Sequence, residues 1–165
     1  MRNTLIVFAS EHGTVEKCAK ELFHQIEGKV DLCDLNKRML IPDLTRYDTV
    51  IIGGSIHLGK IQSVVKDFCI NNLDVLVDKH LGLFINCLYS GSKAQKQLNS
   101  AFPSQLNEKA VVRDFFGGEI NESKLNYFER IITKQIIKQD KLIVKLSKEK
   151  ITRFVEKLST TKNTS

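Results

Sequence analysis

The chain has 165 residues, of which 42% are hydrophobic and 27% charged, and its formal net charge is +6 at pH 7. This composition excludes a disordered or fibrous protein, and the length is sufficient for one domain with a buried core. No apolar run approaches the roughly 18–20 residues of a membrane-spanning helix, and the first residues lead into a strand pattern without signal-peptide character, so we expect a cytoplasmic protein.

Short apolar runs alternate along the chain with amphipathic stretches, as in parallel sheets whose strands are connected by helices. The predicted strands are residues 4–10, 30–35, 49–55, 81–89 and 109–116. The predicted helices are residues 14–27, 61–76, a shorter stretch between Ser92 and Pro103, and residues 147–158. Residues 36–47 fit either a loop or a short helix.

Five strands joined by helices predict an α/β fold, a three-layer doubly wound five-stranded parallel sheet. We expect a single domain over residues 1–158 and a flexible polar tail over residues 159–165. The cysteines are scattered, with neither a Cys-x-x-Cys pair nor histidines at metal-ligand spacing, so they predict small core residues and no metal site. They are Cys18, Cys33, Cys69 and Cys87.

The loop between the first strand and the first helix is small, polar and contains a glycine. Its residues are Ser10, Glu11, His12, Gly13, Thr14 and Val15. The first N–H groups of a helix lack partners and the helix dipole is positive there, so such a loop can bind an anion. We predict a phosphate site here, and a loop that only caps the helix is the alternative.

Ligands of doubly wound sheets bind at the carboxyl ends of the strands, where two further loops carry suitable residues. After the third strand, a glycine-rich turn can offer backbone groups to a flat polar ring; its candidate residues are Ser55, Ile56, His57, Leu58 and Gly59. After the fourth strand, an aromatic side chain can pack on the same ring; the candidates are Cys87, Leu88, Tyr89, Ser90 and Gly91.

On these residues the chain, from about residue 3 to residue 158, resembles proteins of the flavodoxin fold. Within that fold it is most similar to the menaquinone-dependent protoporphyrinogen oxidase group, whose pattern I-G-x-S-I-x-x-G matches residues 52–59. The phosphate loop of the family has the form S/T-x-x-G-x-T. The chain matches it at Ser10 and Gly13, but it has Val15 at the final position and Thr14 one place earlier.

The resemblance implies FMN as the cofactor, with its phosphate on residues 10–15 and its isoalloxazine ring between residues 55–60 and 87–91. It implies an oxidoreductase that passes electrons from a substrate through the flavin to a quinone-like acceptor or a redox partner. Because the flavin supplies the reactive atom, no side chain has to act as acid, base or nucleophile, and catalytic residues stay unknown. No P-loop or dinucleotide-binding motif is present.

Two alternatives stay open: a soluble flavodoxin-type electron carrier, and a flavin-free binding domain of the same fold. The residues that favour the flavin-free alternative are Val15, which replaces a threonine, and Glu11, whose carboxylate would lie beside a phosphate.

Most of the positive charge lies late in the chain, since residues 119–165 hold 11 Lys and Arg against 6 Asp and Glu. The resemblance implies that flavodoxins acting as electron carriers are acidic. The basic segment of this chain therefore favours an enzyme over a carrier. In residues 122–146 an apolar helical face runs beside a basic stripe formed by Arg130, Lys134, Lys138 and Lys141. This predicts peripheral contact with the inner face of a membrane, and a helix packed on the sheet with solvated lysines is the alternative. Nucleic-acid binding is not expected, because the lysines are not interleaved with aromatic residues.

Overall fold

The structure, a computed structural model, describes residues 2–37, 40–118, 134 and 146–160. The strands are β1 (Asn3–Phe8), β2 (Lys29–Asp34), β3 (Thr49–His57), β4 (Lys60–Ile61), β5 (His80–Asn86) and β6 (Val112–Phe115). The helices are α1 (Thr14–Gln25), α2 (Ser63–Asn71), α3 (Leu73–Leu76), α4 (Gly91–Ala101), α5 (Ser104–Lys109) and α6 (Lys148–Thr160). A 3-10 turn, Leu44–Arg46, lies in the stretch predicted as loop or short helix.

Five strands form a parallel sheet in the order β2-β1-β3-β5-β6. The short strand β4 pairs antiparallel with the end of β3 and makes a hairpin outside the main sheet. The strand order reverses beside β1, as in other doubly wound sheets. The predicted fold class is therefore confirmed, with β4 added to it.

Both faces of the sheet are covered, and the alternation of side chains along each strand builds two cores. In β1, Leu5 and Val7 belong to the core under α2, α3, α4 and α5, whereas Ile6 and Phe8 belong to the core under α1 and α6. Because both sets are buried, the strand reads as an unbroken apolar run in the sequence. The result is the expected three-layer arrangement.

Three phenylalanines fill the core under α6. The rings of Phe84 and Phe116 stack with centroids 5.0 Å apart, and Phe154 of α6 packs edge-on against both, at 6.4 and 5.3 Å. All three side chains are fully buried. Aromatic pairs in these arrangements contribute about 0.5–1.5 kcal/mol beyond the apolar area they bury. They attach α6 firmly to β5 and to the residue that follows β6.

Several predicted boundaries were wrong. Strand β5 ends at Asn86 rather than at residue 89, so Cys87 and Tyr89 lie in the loop. The predicted helix 61–76 is two helices, because Asn72 leaves the helical conformation and its side-chain amide donates to the carbonyl of Phe68 at 2.8 Å. The apolar periodicity continues through this break, which is why the sequence pattern did not indicate it.

The sequence patterns also missed α5 and misplaced two ends. Lys109 belongs to α5, whereas it was predicted to begin the fifth strand. At the other end of the chain, Ser159 and Thr160 are helical, although they were assigned to a polar tail. Helix α5 was missed because Leu106 is its only buried residue, which leaves no apolar periodicity to detect.

The four cysteines are buried, as predicted. None of the helices in the described part of the chain is long and apolar enough to cross a membrane. The basic segment at residues 122–146 lies outside the described residues, apart from positions 134 and 146.

Candidate functional site

The three candidate loops lie at one edge of the sheet because their strands are parallel neighbours. Phe8 at the end of β1 pairs with Gly53 in β3, and Ser55 in β3 pairs with Asn86 at the end of β5. The loops that follow β1, β3 and β5 therefore begin at the same edge of the sheet. The prediction that these loops share the carboxyl edge of the sheet is confirmed.

Ser10 organises the loop between β1 and α1. Its hydroxyl oxygen accepts the N–H of Gly13 at 3.1 Å and the N–H of Glu16 at 3.3 Å. Glu16 lies in the first turn of α1, and the N-cap residue Gly13 has no side chain for this task, so Ser10 caps the helix from outside it. Ser10 therefore caps the helix, and this capping is compatible with anion binding.

The rest of the first turn still offers hydrogen-bond donors. Thr14 and Val15 are the first two residues of α1, and N–H groups at those positions have no acceptor within a helix. Gly13 has φ 92°, a left-handed conformation that glycine adopts without strain. The Val15 side chain is 1% exposed and belongs to the core under α1, so Val15 can contribute only its backbone N–H.

The residues after β3 form a hairpin rather than an open loop. His57 pairs with Lys60 across a two-residue turn in which Leu58 has φ 52° and Gly59 has φ 77°. Positive φ at both central residues is the requirement of a type I′ turn, whose twist suits a hairpin. Ile56 pairs with Ile61 and packs against the core, so the hairpin is anchored on its inner side.

The hairpin brings a histidine against the phosphate-loop candidates. His57 Nε2 lies 3.8 Å from the Glu11 carboxylate, and its ring is edge-on to that of His12 with centroids 5.9 Å apart. The Ser55 hydroxyl is 2.9 Å from the same Nε2. The sequence pattern did not indicate this meeting, because nothing in the spacing of these residues places them together.

These residues do not form a Ser-His-acid catalytic triad. In a triad the carboxylate binds the ring nitrogen opposite the one that faces the serine. Here both Ser55 and Glu11 approach Nε2 of His57. The contact is instead a link between two loops, and it is an ion pair when His57 is protonated.

Gln62 makes a second link between the same loops. This residue follows β4, and its side chain is 9% exposed. Its Nε2 donates to the carbonyl of Ala9 at 3.0 Å, and its Oε1 accepts the N–H of Ser55 at 2.9 Å. The sequence shows only a polar residue between Ile61 and Ser63, and this does not reveal what the side chain contacts.

The loop after β5 begins buried and becomes more exposed toward α4. The Cys87 thiol donates to the carbonyl of Tyr89 at 3.5 Å, and burial raises the pKa of this thiol. Tyr89 packs partly against the core, and the ammonium group of Lys93 lies 4.9 Å from its ring centroid. Ser90 is the N-cap of α4 without a side-chain cap bond, and Gly91 follows with φ 60°.

Residues after β6 pack against this loop from the other side. The buried Asn86 amide donates to the carbonyl of Gly117 at 2.8 Å and to Cys18 Sγ at 3.3 Å. A Cβ on Gly118 would meet the carbonyl oxygen of Cys87 at 3.1 Å and the Leu88 side chain at 3.3 Å. The residues after β6 therefore support the third candidate loop.

A family match agrees with this arrangement of strands and loops. The model of the family described as "Flavodoxin domain" matches residues 5–142. The chain belongs to the flavodoxin domain family. No curated protein gives a significant sequence match to this flavodoxin-domain protein.

Solved structures with the same fold include a short-chain flavodoxin associated with a non-canonical PDU bacterial microcompartment, with a TM-score of 0.60 and 13% identity over 98% of this chain and 99% of that chain. A Fusobacterium nucleatum flavodoxin bound to flavin mononucleotide has a TM-score of 0.54 and 11% identity over 98% and 99%. The rubredoxin:oxygen oxidoreductase of Desulfovibrio gigas has a TM-score of 0.53 and 14% identity. The match covers 98% of this chain but only 36% of that protein. At these identities the structures establish the fold.

Proposed function

We propose that this protein is a flavodoxin-type electron-transfer protein that binds FMN. Its phosphate site is residues 10–15, and the isoalloxazine ring lies between residues 55–60 and residues 87–91. The observation that carries the proposal is the Ser10 hydroxyl, which holds the N–H groups of Gly13 and Glu16 and so organises the loop around the first turn of α1. Membership of the flavodoxin domain family and the FMN-bound Fusobacterium nucleatum flavodoxin support the same ligand.

The residues present fit an FMN phosphate. The N–H groups of Thr14 and Val15 are donors, the Thr14 hydroxyl is a further donor, and Gly13 allows close approach of the backbone. Loss of the family threonine at position 15 removes one hydroxyl, since Val15 is in the core. The charge of Glu11 opposes an anion, and His57 Nε2 lies 3.8 Å from the Glu11 carboxylate.

FMN, when bound, supplies the electron-transfer chemistry. The chain has three tasks in this proposal. The first turn of α1 binds the phosphate, the hairpin at residues 55–60 presents backbone groups to the ring, and Tyr89 offers an aromatic face to it. A redox partner or a quinone then accepts the electrons. We place the protein in the cytoplasm in this proposal.

A second candidate is a quinone-linked oxidase of the protoporphyrinogen oxidase kind. Its support is the sequence pattern at residues 52–59, which the structure folds as the end of β3 and a tight hairpin. Peripheral membrane contact through residues 122–146 belongs to this candidate. None of the solved structures named above is an enzyme of that group, so the carrier is the better supported proposal.

The deciding experiment is a visible absorbance spectrum of the purified protein before and after incubation with FMN and desalting. A retained flavin band that is reduced in one-electron steps supports the carrier. A retained flavin that takes up two electrons together and is reoxidised by a soluble menaquinone analogue supports the oxidase. A protein that stays colourless after incubation contradicts both and leaves the flavin-free binding domain.

Membrane contact has its own measurement. Sedimentation with vesicles of anionic phospholipid, at low and at high salt, reports whether the basic segment binds a lipid surface. Binding that salt abolishes supports the peripheral assignment. Equal recovery in the supernatant with and without vesicles contradicts it.

A further inference from the structure

Gln62 joins the two loops that the proposed FMN site requires. The Ala9 carbonyl, which accepts from Gln62 Nε2, directly precedes the phosphate loop. The Ser55 N–H, which donates to Gln62 Oε1, begins the hairpin loop. The amide therefore fixes the end of β1 against the outer part of β3 at the edge where the ligand would bind.

The surroundings of this amide are tightly fitted. A Cβ on Gly54 would lie 2.6 Å from Gln62 Oε1 and 2.9 Å from the side chain of Ile61. A glycine at position 54 is thus needed for the amide to reach Ser55. Both partners are backbone groups next to buried residues, and leaving such groups unpaired is unfavourable.

Glutamine is well suited to this position. The bridge needs a donor at one end and an acceptor at the other, without a charge, because the side chain is nearly fully buried. Asparagine is one methylene shorter, and a carboxylate has acceptors only. The arrangement is therefore specific to the length and the chemistry of glutamine.

We propose that Gln62 is a positioning residue that sets the separation of the phosphate loop and the hairpin, and that it thereby increases the affinity for FMN. This inference rests on the proposed function. A ligand that spans two loops binds more tightly when the loops are already in place, because less conformational freedom is lost on binding. If the bridge is removed, the binding-competent arrangement becomes a smaller fraction of the population and the apparent Kd rises in proportion.

The test compares two substitutions that each delete an amide. Gln62→Met keeps the approximate length and volume but removes both hydrogen bonds. Asn107→Leu is the matched control, because Asn107 lies in α5, outside the three loops. Its Nδ2 donates to the carbonyls of Asn99 and Phe102 at 2.9 and 3.3 Å. The measurements are the Kd for FMN, from quenching of flavin fluorescence, and the urea midpoint of the apoprotein.

We expect Gln62→Met to weaken FMN binding about tenfold or more, the size of effect that one unpaired buried group produces. Asn107→Leu should lower the urea midpoint of the apoprotein while leaving the Kd for FMN within about twofold of the wild-type value. Gln62→Met binding FMN like the wild type would overturn the positioning role while leaving the proposed function intact. A wild-type protein that does not bind FMN contradicts the proposed function itself, and the inference with it.

A second variant keeps the test decisive if Gln62→Met does not fold. In Gln62→Glu, the protonated carboxyl has one donor and one acceptor and so reproduces the bridge, whereas the carboxylate cannot donate to the Ala9 carbonyl. The Kd of this variant, divided by that of the wild type at the same pH, should fall toward one as the pH is lowered through the pKa of the introduced carboxyl. A ratio that does not change with pH contradicts the bridge.

Discussion

The ring of Phe84 occupies the space in which Gly53 would carry a side chain. A Cβ on Gly53 would lie 2.0 Å from Cζ of Phe84 and 2.2 and 2.4 Å from its two Cε atoms. Gly53 is in β3 and Phe84 is in the neighbouring strand β5, where the two residues are paired. The neighbouring Gly54 is a different case, because the absence of a side chain there makes room for Gln62. Glycine at position 53 is therefore required by packing in the core.

Replacing Gly53 with alanine should destabilise the protein. Because the obstructing atoms belong to a buried ring, we expect Gly53→Ala to lower the free energy of unfolding by about 1–3 kcal/mol, as overpacked cores do. Urea denaturation measures this change. Adding Phe84→Leu to the same protein should reduce the additional cost of the alanine, since the conflicting ring is then absent. A free energy of unfolding within about 0.5 kcal/mol of wild type for Gly53→Ala would contradict the conflict.

Removing the Ser10 hydroxyl should affect both folding and binding. Ser10→Ala leaves the N–H groups of Gly13 and Glu16 without their acceptor, and loss of a capping oxygen costs about 0.5–2 kcal/mol. We expect weaker FMN binding as well, because the loop is no longer organised. Calorimetry and FMN titration measure the two effects. Ser100→Ala is the control, since that hydroxyl bonds only within its own helix turn, and it should leave FMN binding unchanged.

Neutralising Glu11 should strengthen FMN binding. The Glu11 carboxylate adds a negative charge to a loop proposed to hold a phosphate, and exposed charge interactions of this kind amount to about 0.2–1 kcal/mol, or up to about fivefold in Kd. Glu11→Gln should therefore lower the Kd at low salt, and the difference should shrink as salt is added. Glu108→Gln, in α5, is the control. Unchanged or weaker binding by Glu11→Gln would show that the carboxylate does not oppose the ligand.

Because of the backbone conformation of Leu58, we expect a substitution at this position to stabilise the folded protein. Leu58 has φ 52° and is 75% exposed, so it adopts a left-handed conformation without gaining burial in return. Asparagine tolerates this conformation better, and Leu58→Asn should raise the free energy of unfolding by about 1 kcal/mol. Leu40→Asn is the matched control, because Leu40 is 84% exposed and is not among the described residues with positive φ. The same stability change in both variants would rule out a conformational cause.

The cysteines should resist alkylation in the folded protein. All four are buried, and burial raises the pKa of the Cys69 thiol to about 12 and also raises the pKa of Cys87. Because the thiolate is the reacting form, iodoacetamide at pH ~8 should label these thiols only after unfolding. Mass spectrometry of the native and urea-treated protein gives the comparison. Labelling of Cys69 in the native protein would contradict its burial.

The parallel sheet and α1 could be predicted because their signals are local. Strands buried on both faces read as apolar runs, and α1 has an apolar face that includes Val15 and Leu22. The gathering of three loops at one edge followed from the parallel topology. These features depend on periodicity and strand direction, which a single sequence contains.

The contacts between the loops could not be predicted, because they depend on tertiary structure. The position of Gln62 against Ala9 and Ser55 requires the hairpin to turn at Leu58, and leucine is not a residue that indicates a type I′ turn. The same hairpin brings His57 to Glu11. The sequence predicted a turn here but not the hairpin that it closes, so both links were missed.

Helix α6 has a consequence for how the chain folds during synthesis. Its residues Ile151, Phe154 and Leu158 complete the core that Ile6 and Phe84 share with α1. Until α6 has left the ribosome, the ring of Phe84 in β5 lacks the cover that Phe154 gives it. We therefore expect the nascent chain to be prone to aggregation until α6 has packed onto the sheet, because transiently exposed apolar surface promotes association.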